Sequence, residues 1–413
     1  MRRVVITGMG AVTPLGNTVE EFWSGLKEGR HGFSLLPDSV VRPEFAIRVG
    51  APVKDFDALK YFDKKELKRV DRFTQFAVYS SLEAFKDSGL DENPPEDPFR
   101  AGVIFGVGIG GLELTLQEHN KYKEKGPDRI SVFYVPMMIG NMAAGTISMR
   151  TGFKGDNYCP VTACSSATHA IGEAFRKIKD GYLDICMAGG AESTINEFTL
   201  GGFNNLTALS RATDPDRASI PFDAERNGFV LGEGSAALVL EEYERAKARG
   251  AKIYAEVAGY GATGDAYHMT SPAPDGEAAA HSIKSAYKEA GLSPDEIDYI
   301  NAHGTSTPLN DKYETIAIKK ALGESANKVL INSTKSMTGH LLGAAGAIEA
   351  VVTALSCKHG FVHRTVGFKV PDPECDLNYC VDGNKEIKVN AALSNNLGFG
   401  GHNATLCLKS VNS

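Results

Sequence analysis

Short apolar strands, glycine-rich turns and helical patterns alternate along the whole chain, and this alternation limits its fold more than any other feature. Val103-Ile104-Phe105 runs into Gly106-Val107-Gly108-Ile109-Gly110-Gly111, and Leu183–Ala188 runs into Gly189-Gly190. Asp298–Asn301 runs into Ala302-His303-Gly304. This rhythm is that of an α/β protein, because neighbouring parallel strands need a crossover, usually a helix, between them. The β-branched run Val4–Thr7 reads as the first strand. Gly8, Gly10 and Pro14 interrupt what could otherwise pass for the apolar part of a signal peptide. Between Asp63 and Phe85, Leu67, Val70, Phe73, Ala77, Leu82 and Phe85 recur near helical spacing, which predicts a helix with Gly89 at its C-cap. Leu341–Cys357 is the most apolar stretch, and its Glu349 and many small residues predict a buried helix rather than a membrane span.

A weak internal echo points to two similar halves. Thr162–Gly172 laid over Ser333–Gly343 brings Ser165 onto Ser336, His169 onto His340 and Gly172 onto Gly343. Each segment carries small polar residues into an Ala/Gly-rich helix. We place the halves at residues 1–252 and 253–413. Composition narrows the class further. A net charge of −7 argues against a nucleic-acid partner, and 42% hydrophobic residues exclude a mostly disordered chain. An odd count of seven Cys suits free thiols in a reducing compartment, so the cytoplasm is the expected location.

Four residues at such turns could carry chemistry. Cys164, in TACSSATHAIGEA, stands where a helix is expected to begin, and a helix N-terminus favours thiolate over thiol. His303 lies in NAHGTSTPLND, and His340 in NSTKSMTGHLLGAAGA, five residues after Lys335. One Cys, two His and a Lys make a nucleophile with acid–base partners. Gly259–Gly264 matches G-x-G-x-x-G, but no helix is expected to follow it, so dinucleotide binding is not inferred. The pairs Cys159/Cys164 and Cys375/Cys380 share a spacing that zinc sites use, yet Cys164 is better explained by the helix start. Lys64, Lys65, Lys68, Arg69 and Arg72 would form one positive helix face, suited to an acidic partner.

Taken together, TACSS, NAHGTSTPLND, STKSMTGHLLGAAGAIEA, DAYHMTSP and GFGGHN resemble the β-ketoacyl-[acyl-carrier-protein] synthases, most closely their type II members, over essentially the whole chain. The resemblance implies a thiolase-like α/β fold, two similar βαβαβαββ halves in five α-β-α-β-α layers, and a homodimer. It implies a decarboxylative condensation of malonyl-carrier with a Cys-bound acyl chain in fatty-acid synthesis, with acyl carrier protein as partner, no membrane, and no required cofactor. By motif, Cys164 is the acyl acceptor, His303 and His340 are the condensing histidines, and Lys335 orients or balances charge. Phe399, among Gly398, Gly400 and Gly401, resembles the gate, its N–H forming the oxyanion hole with that of Cys164. Thr270, Ser271, Thr305 and Thr307 resemble pantetheine contacts. Ile109 and Phe203, with Phe133 and Met138 from a second subunit, resemble the acyl pocket. Lys65, Lys68 and Arg69 match the carrier-docking face. Asn301, Glu349, Ser394 and Asn395 sit where some members hold a structural monovalent cation. The chain departs from the pattern at Asn204–Thr207 and at Asn396-Leu397, where Ser-Phe is usual. A type II polyketide ketosynthase shares these residues; a noncatalytic chain-length subunit would lack Cys164.

Overall fold

The computed structural model describes residues 2–411. Ten strands carry the architecture: β1 (Val4–Val12), β2 (Ala101–Gly106), β3 (Asn157–Tyr158), β4 (Ile185–Glu192), β5 (Gly234–Glu242), β6 (Ala255–Gly264), β7 (Tyr299–Asn301), β8 (Leu330–Asn332), β9 (Ala391–Gly398) and β10 (His402–Lys409). Six helices pack on them: α1 (Arg72–Asp87), α2 (Met142–Thr151), α3 (Ser166–Lys179), α4 (Glu277–Glu289), α5 (Pro308–Leu322) and α6 (Ala345–His359). The strands hydrogen-bond in the order β8-β7-β9-β10-β6-β1-β5-β4-β2-β3.

That order is one pattern written twice. From the junction outward the first half runs β1-β5-β4-β2-β3 and the second β6-β10-β9-β7-β8. In each half the successive pairings are antiparallel, antiparallel, parallel, parallel. Each half is thus βαβαβαββ, as the resemblance implies. The halves are joined edge to edge where Val4–Ile6 of β1 pairs with residues 255–257 of β6, so the two sheets are hydrogen-bonded into one. This sheet folds around α3 and α6. Helices α1 and α2 cover the outer face of one half, and α4 and α5 that of the other, giving five layers.

The central layer explains the composition. From Ala345 to Cys357 every residue of α6 is buried, as expected of a helix sandwiched between sheets. Small side chains let α3 and α6 approach closely. A Cβ at Gly346 would stand 2.0 Å from Thr168 Oγ1, so this crossing admits only glycine. The contact brings the starts of both central helices to one place.

Two expectations are corrected in detail. The predicted helix over Asp63–Phe85 is two pieces. A 3₁₀ turn, Glu66–Arg69, ends before Asp71, whose carboxylate caps α1 by accepting from Phe73 N at 3.2 Å. Helix α1 has Ser88 as its C-cap, and Gly89 follows it with φ +71°. The echo has the right topology and the wrong register. The fold matches the turn Ala163–Ser165 with Leu342–Ala344, not His169 with His340. Both are 3₁₀ turns that lead directly into a central helix, and both open on a left-handed residue, Ala163 at φ +51° and Leu342 at φ +46°. Gly259–Gly264 lies inside β6, in keeping with the sequence reading that declined a dinucleotide-binding turn there.

Candidate active site

Cys164, the candidate nucleophile, is presented by a strained turn. Ala163 holds a conformation disfavoured for any residue with a Cβ by roughly 1–2 kcal/mol. Ser166 Oγ stabilises the turn, donating to Ala163 O at 2.7 Å and accepting from Thr162 N at 2.9 Å. Ser165 Oγ ties it to the far half by donating to His402 O at 2.8 Å. The turn delivers Cys164 to the N-terminal end of α3, as expected. Its predicted thiolate character is not what the site provides at rest. Burial pushes the Cys164 thiol up to about 12, outweighing Lys335 and the Phe399 and Cys164 N–H groups, which act the other way. The Cys164 side chain at rest is therefore a thiol, with two N–H groups already directed at it.

His303 and His340 converge on that thiol. One ligand atom from each of Cys164, His303 and His340 falls within 4.8 Å of the others, and the imidazole rings stand edge to face with centroids 5.3 Å apart. The surrounding hydrogen bonds assign both tautomers. His340 Nδ1 accepts from Leu342 N at 3.3 Å. His303 Nδ1 faces two donors, Lys335 Nζ at 3.2 Å and Asn396 Nδ2 at 3.3 Å. Each ring therefore carries its proton on Nε2. Burial, with the Lys335 charge beside them, holds both histidines well below their usual pKa, so they are neutral donors. The same triplet could be drawn as a metal site, but the Lys335 ammonium against His303 opposes a cation there.

Lys335 is 1% exposed and is held by two acceptors, Glu349 Oε1 at 2.5 Å and His303 O at 2.7 Å. Glu314 fixes the His303 loop from α5 by accepting from His303 N and Gly304 N, each at 2.8 Å. Around these groups lies a cavity of ≈ 320 Å³ that opens to the surface. Phe203, Thr270, Ser271, Thr305, Thr307, Gly398, Phe399 and Gly401 all line it with Cys164 and the two histidines.

The description "Beta-ketoacyl synthase, N-terminal domain" matches residues 1–246, and "Beta-ketoacyl synthase, C-terminal domain" matches residues 254–369. The chain belongs to the β-ketoacyl synthase family. It is 50% identical over 409 residues to "3-oxoacyl-[acyl-carrier-protein] synthase 2" of Synechocystis sp., covering 99% of this chain and 98% of that protein. It is 46% identical over 408 residues to the protein of that name in Staphylococcus aureus strain COL, with the same coverage. Among solved structures it matches a chain of a type II polyketide ketosynthase in complex with its acyl-carrier protein, AntDE:AntF, at TM-score 0.93 and 36% identity, covering all of both chains.

Within one chain of this synthase, other expected residues lie outside the cavity. Ile109 is 41% exposed, and neither it, Phe133 nor Met138 lines the cavity within a single chain. Phe133 instead packs beneath the Arg69 guanidinium, 4.7 Å from the ring centre. Lys65, Lys68 and Arg69 are exposed on the 3₁₀ turn, not on a helix face, whereas Arg72 is drawn away to Glu233 at 2.9 Å. Of the four cation-site residues, Asn301 Oδ1 and Ser394 Oγ are buried without a hydrogen-bond partner. Glu349 is engaged by Lys335 and Asn396, and Asn395 Oδ1 accepts from Thr405 at 3.1 Å. Two residues were missed. Glu192 accepts from the N–H groups of Gly108, Ile109, Gly110 and Gly343 beneath the site. Asn396 touches His303 itself, and its only signal in the sequence is the departure from Ser.

Proposed function

We infer that the protein is a 3-oxoacyl-[acyl-carrier-protein] synthase, an acyltransferase of fatty-acid biosynthesis acting on carrier-bound substrates. The observation that carries this reading is the meeting of a cysteine at a helix start with two histidines whose Nδ1 atoms both face donors. Cys164 sulfur attacks the acyl-carrier thioester. The S–acyl bond forms, the carrier thiolate leaves, and the thiol proton goes to it. The oxyanion of that step is met by the N–H groups of Cys164 and Phe399. Malonyl-carrier then loses CO₂, and the electron pair of the broken C–C bond becomes an enolate. Its oxygen receives hydrogen bonds from His303 and His340. The enolate carbon attacks the Cys164 thioester, the C–S bond breaks, and the Cys164 thiolate takes a proton. The product is a 3-oxoacyl-carrier two carbons longer. Incubation with acyl-carriers of graded length and malonyl-carrier should yield such products by mass. Absence of any elongated species overturns the reading. Repeated extension without ketone reduction favours the polyketide alternative, which the AntDE:AntF likeness supports at lower identity.

Lys65, Lys68 and Arg69 form the carrier-docking face in this proposal. Among the described residues none of the three is in an ion pair, which leaves their charge free for an acidic partner. Lys65→Glu with Lys68→Glu should raise KM for acyl-carrier roughly tenfold at low salt, less at high salt, with kcat little changed. An unaltered KM removes this face from the proposal.

Phe399 is proposed as the gate. Its ring centroid lies 6.3 Å from that of Phe203, and Gly400 and Gly401 follow it at φ +87° and +74°, where a side chain would be strained. Two substrates must enter in sequence, so the loop is expected to move once Cys164 is acylated. Phe399→Ala should slow condensation at least several-fold with little change in Tm. Full activity, with the loop unmoved in an acylated crystal, leaves Phe399 a core plug.

A homodimer is proposed because β3, the edge of the sheet, is exposed at both residues, with Val161 and Phe198 exposed at 63% and 65%. Phe133 and Met138 would join the acyl pocket across that contact. Sedimentation as a monomer at micromolar concentration overturns it. The buried, unpartnered oxygens of Asn301 and Ser394 support the proposal of a monovalent cation there, which would serve structure and not the chemistry. Equal melting in potassium, sodium and choline salts counts against such a site.

A further inference from the structure

Asn396 is fully buried on β9, three residues before Phe399, and every hydrogen-bonding atom of its amide is engaged. Its Nδ2 donates to Glu349 Oε2 at 2.7 Å and faces His303 Nδ1 at 3.3 Å. Its Oδ1 accepts from Thr168 Oγ1, on the nucleophile's own helix, at 2.5 Å. The Glu349 carboxylate fixes which way the amide points, since only the NH₂ end can face it. One side chain thus joins the nucleophile helix, the gate strand, the His303 loop and α6.

We propose that Asn396 is a positioning residue for the condensation step, holding His303 in the tautomer that presents Nε2–H to the enolate oxygen. Lys335 alone does not define that state. Its Nζ is shared among Glu349, the His303 carbonyl and His303 Nδ1, and at 3.2 Å the last is the longest of the three. The Asn396 amide supplies a second donor to Nδ1 from the opposite chain segment. It also occupies the second oxygen of Glu349, leaving that carboxylate one oxygen for Lys335. Removing the amide would leave Glu349 Oε2 unpaired in a dry site and Nδ1 with one donor. His303 could then rotate, or take a proton more readily. Thr168 and Gly346 are part of the same device: the side-chain-free Gly346 leaves room for the Thr168–Asn396 contact.

The charged and titratable groups facing His303 are Lys335 from its short helix, Glu349 from α6, Glu314 from α5, His340 and Cys164. Changing Asn396 substitutes none of these five, but it takes a hydrogen-bond partner from Glu349 and from His303, so its effect is read from the two half-reactions compared.

The inference rests on the condensing reading, so the test uses the full-length protein and separates its two half-reactions. These are acyl transfer to Cys164, followed by mass, and CO₂ release from malonyl-carrier. Asn396→Ala should lower decarboxylation kcat about tenfold, the equivalent of one lost hydrogen bond, with KM and the rate of Cys164 acylation within about twofold. The acid limb of its decarboxylation profile should move to higher pH, because a donor that disfavours imidazolium is gone. Asn396→Ser, which keeps one hydroxyl donor, should recover part of the rate. Asn396→Asp matches the amide in shape but sets an oxygen against both His303 Nδ1 and Glu349 Oε2, which takes a donor from the ring and opposes the carboxylate that holds Lys335. It should lose decarboxylation by about a hundredfold while Cys164 still acylates. This variant also keeps the test decisive if Asn396→Ala folds poorly. Undiminished decarboxylation in the Ala and Asp variants overturns the inference, as does an equal fall in both half-reactions. Wild-type protein that makes no 3-oxoacyl product would instead sink the condensing reading itself.

Discussion

Cys164→Ala is expected to abolish condensation and to leave no acyl-enzyme detectable by mass. The substitution removes the only atom that can carry the growing chain, so no compensating route exists and the loss should reach the detection limit. The change is small in packing terms, because it deletes one sulfur from a site that already opens onto a cavity. Tm should move by only a few degrees. Malonyl-carrier decarboxylation should survive in part, since the enolate donors, His303 and His340, are untouched. The seven thiols are not ranked by acidity in a way that singles out Cys164. Burial pushes Cys164 up to about 12 and Cys159, half-buried, up to about 11. What sets Cys164 apart is its opening to the cavity and the two N–H groups aimed at it. An alkylating reagent shaped like an acyl-pantetheine should therefore label Cys164 first. Acyl transfer to Cys159 in the Cys164→Ala protein would overturn this assignment.

Much of this site was readable in the sequence because its key residues stand at chain positions where an α/β fold puts function. Cys164, His303 and His340 each follow a short strand and a small-residue turn, and local pattern is enough to find such turns. The doubled topology was also legible, since both halves feed an Ala/Gly-rich helix from a small polar turn. Register was not. Eight extra residues before the second central helix, in the stretch that holds the short helix Lys335–Thr338, shift it, so aligning the histidines misaligned the helices. Thiol acidity was misjudged for a related reason. A helix N-terminus is a local feature, but the burial that outweighs it comes from chain segments far apart in sequence. Asn396 shows the same limit: its partners His303 and Thr168 lie 93 and 228 residues away, and no periodicity connects them. The break at Val70-Asp71 was hidden because apolar spacing continues across it, while the cap is made by a single aspartate.

His303→Ala and His340→Ala should each lower malonyl-carrier decarboxylation by roughly 10²–10³-fold, the usual cost of one oxyanion donor. Acylation of Cys164 should fall far less in both. The thiol proton goes to the departing carrier sulfur, and the oxyanion of transfer sits on backbone N–H groups that neither variant removes. The double variant should fall short of the product of the single losses, because the proposal has the two adjacent rings serve one oxygen as a unit. Their pH behaviour follows from the sign of the shift. Both pKa values are depressed, so each ring stays neutral as pH falls through 6.5 and takes a proton only well below it. Wild-type decarboxylation should therefore show no acid limb near 6.5. The same depression has a consequence for stability. In the unfolded chain the two histidines protonate near 6.5, whereas the folded site refuses the proton. Their contribution to stability is whole above that pH and declines on acidification below it, by an amount the Ala variants should not show. A limb centred at 6.5 in the wild-type profile, or equal loss of acylation and decarboxylation in the single variants, would refute the donor role assigned to the pair.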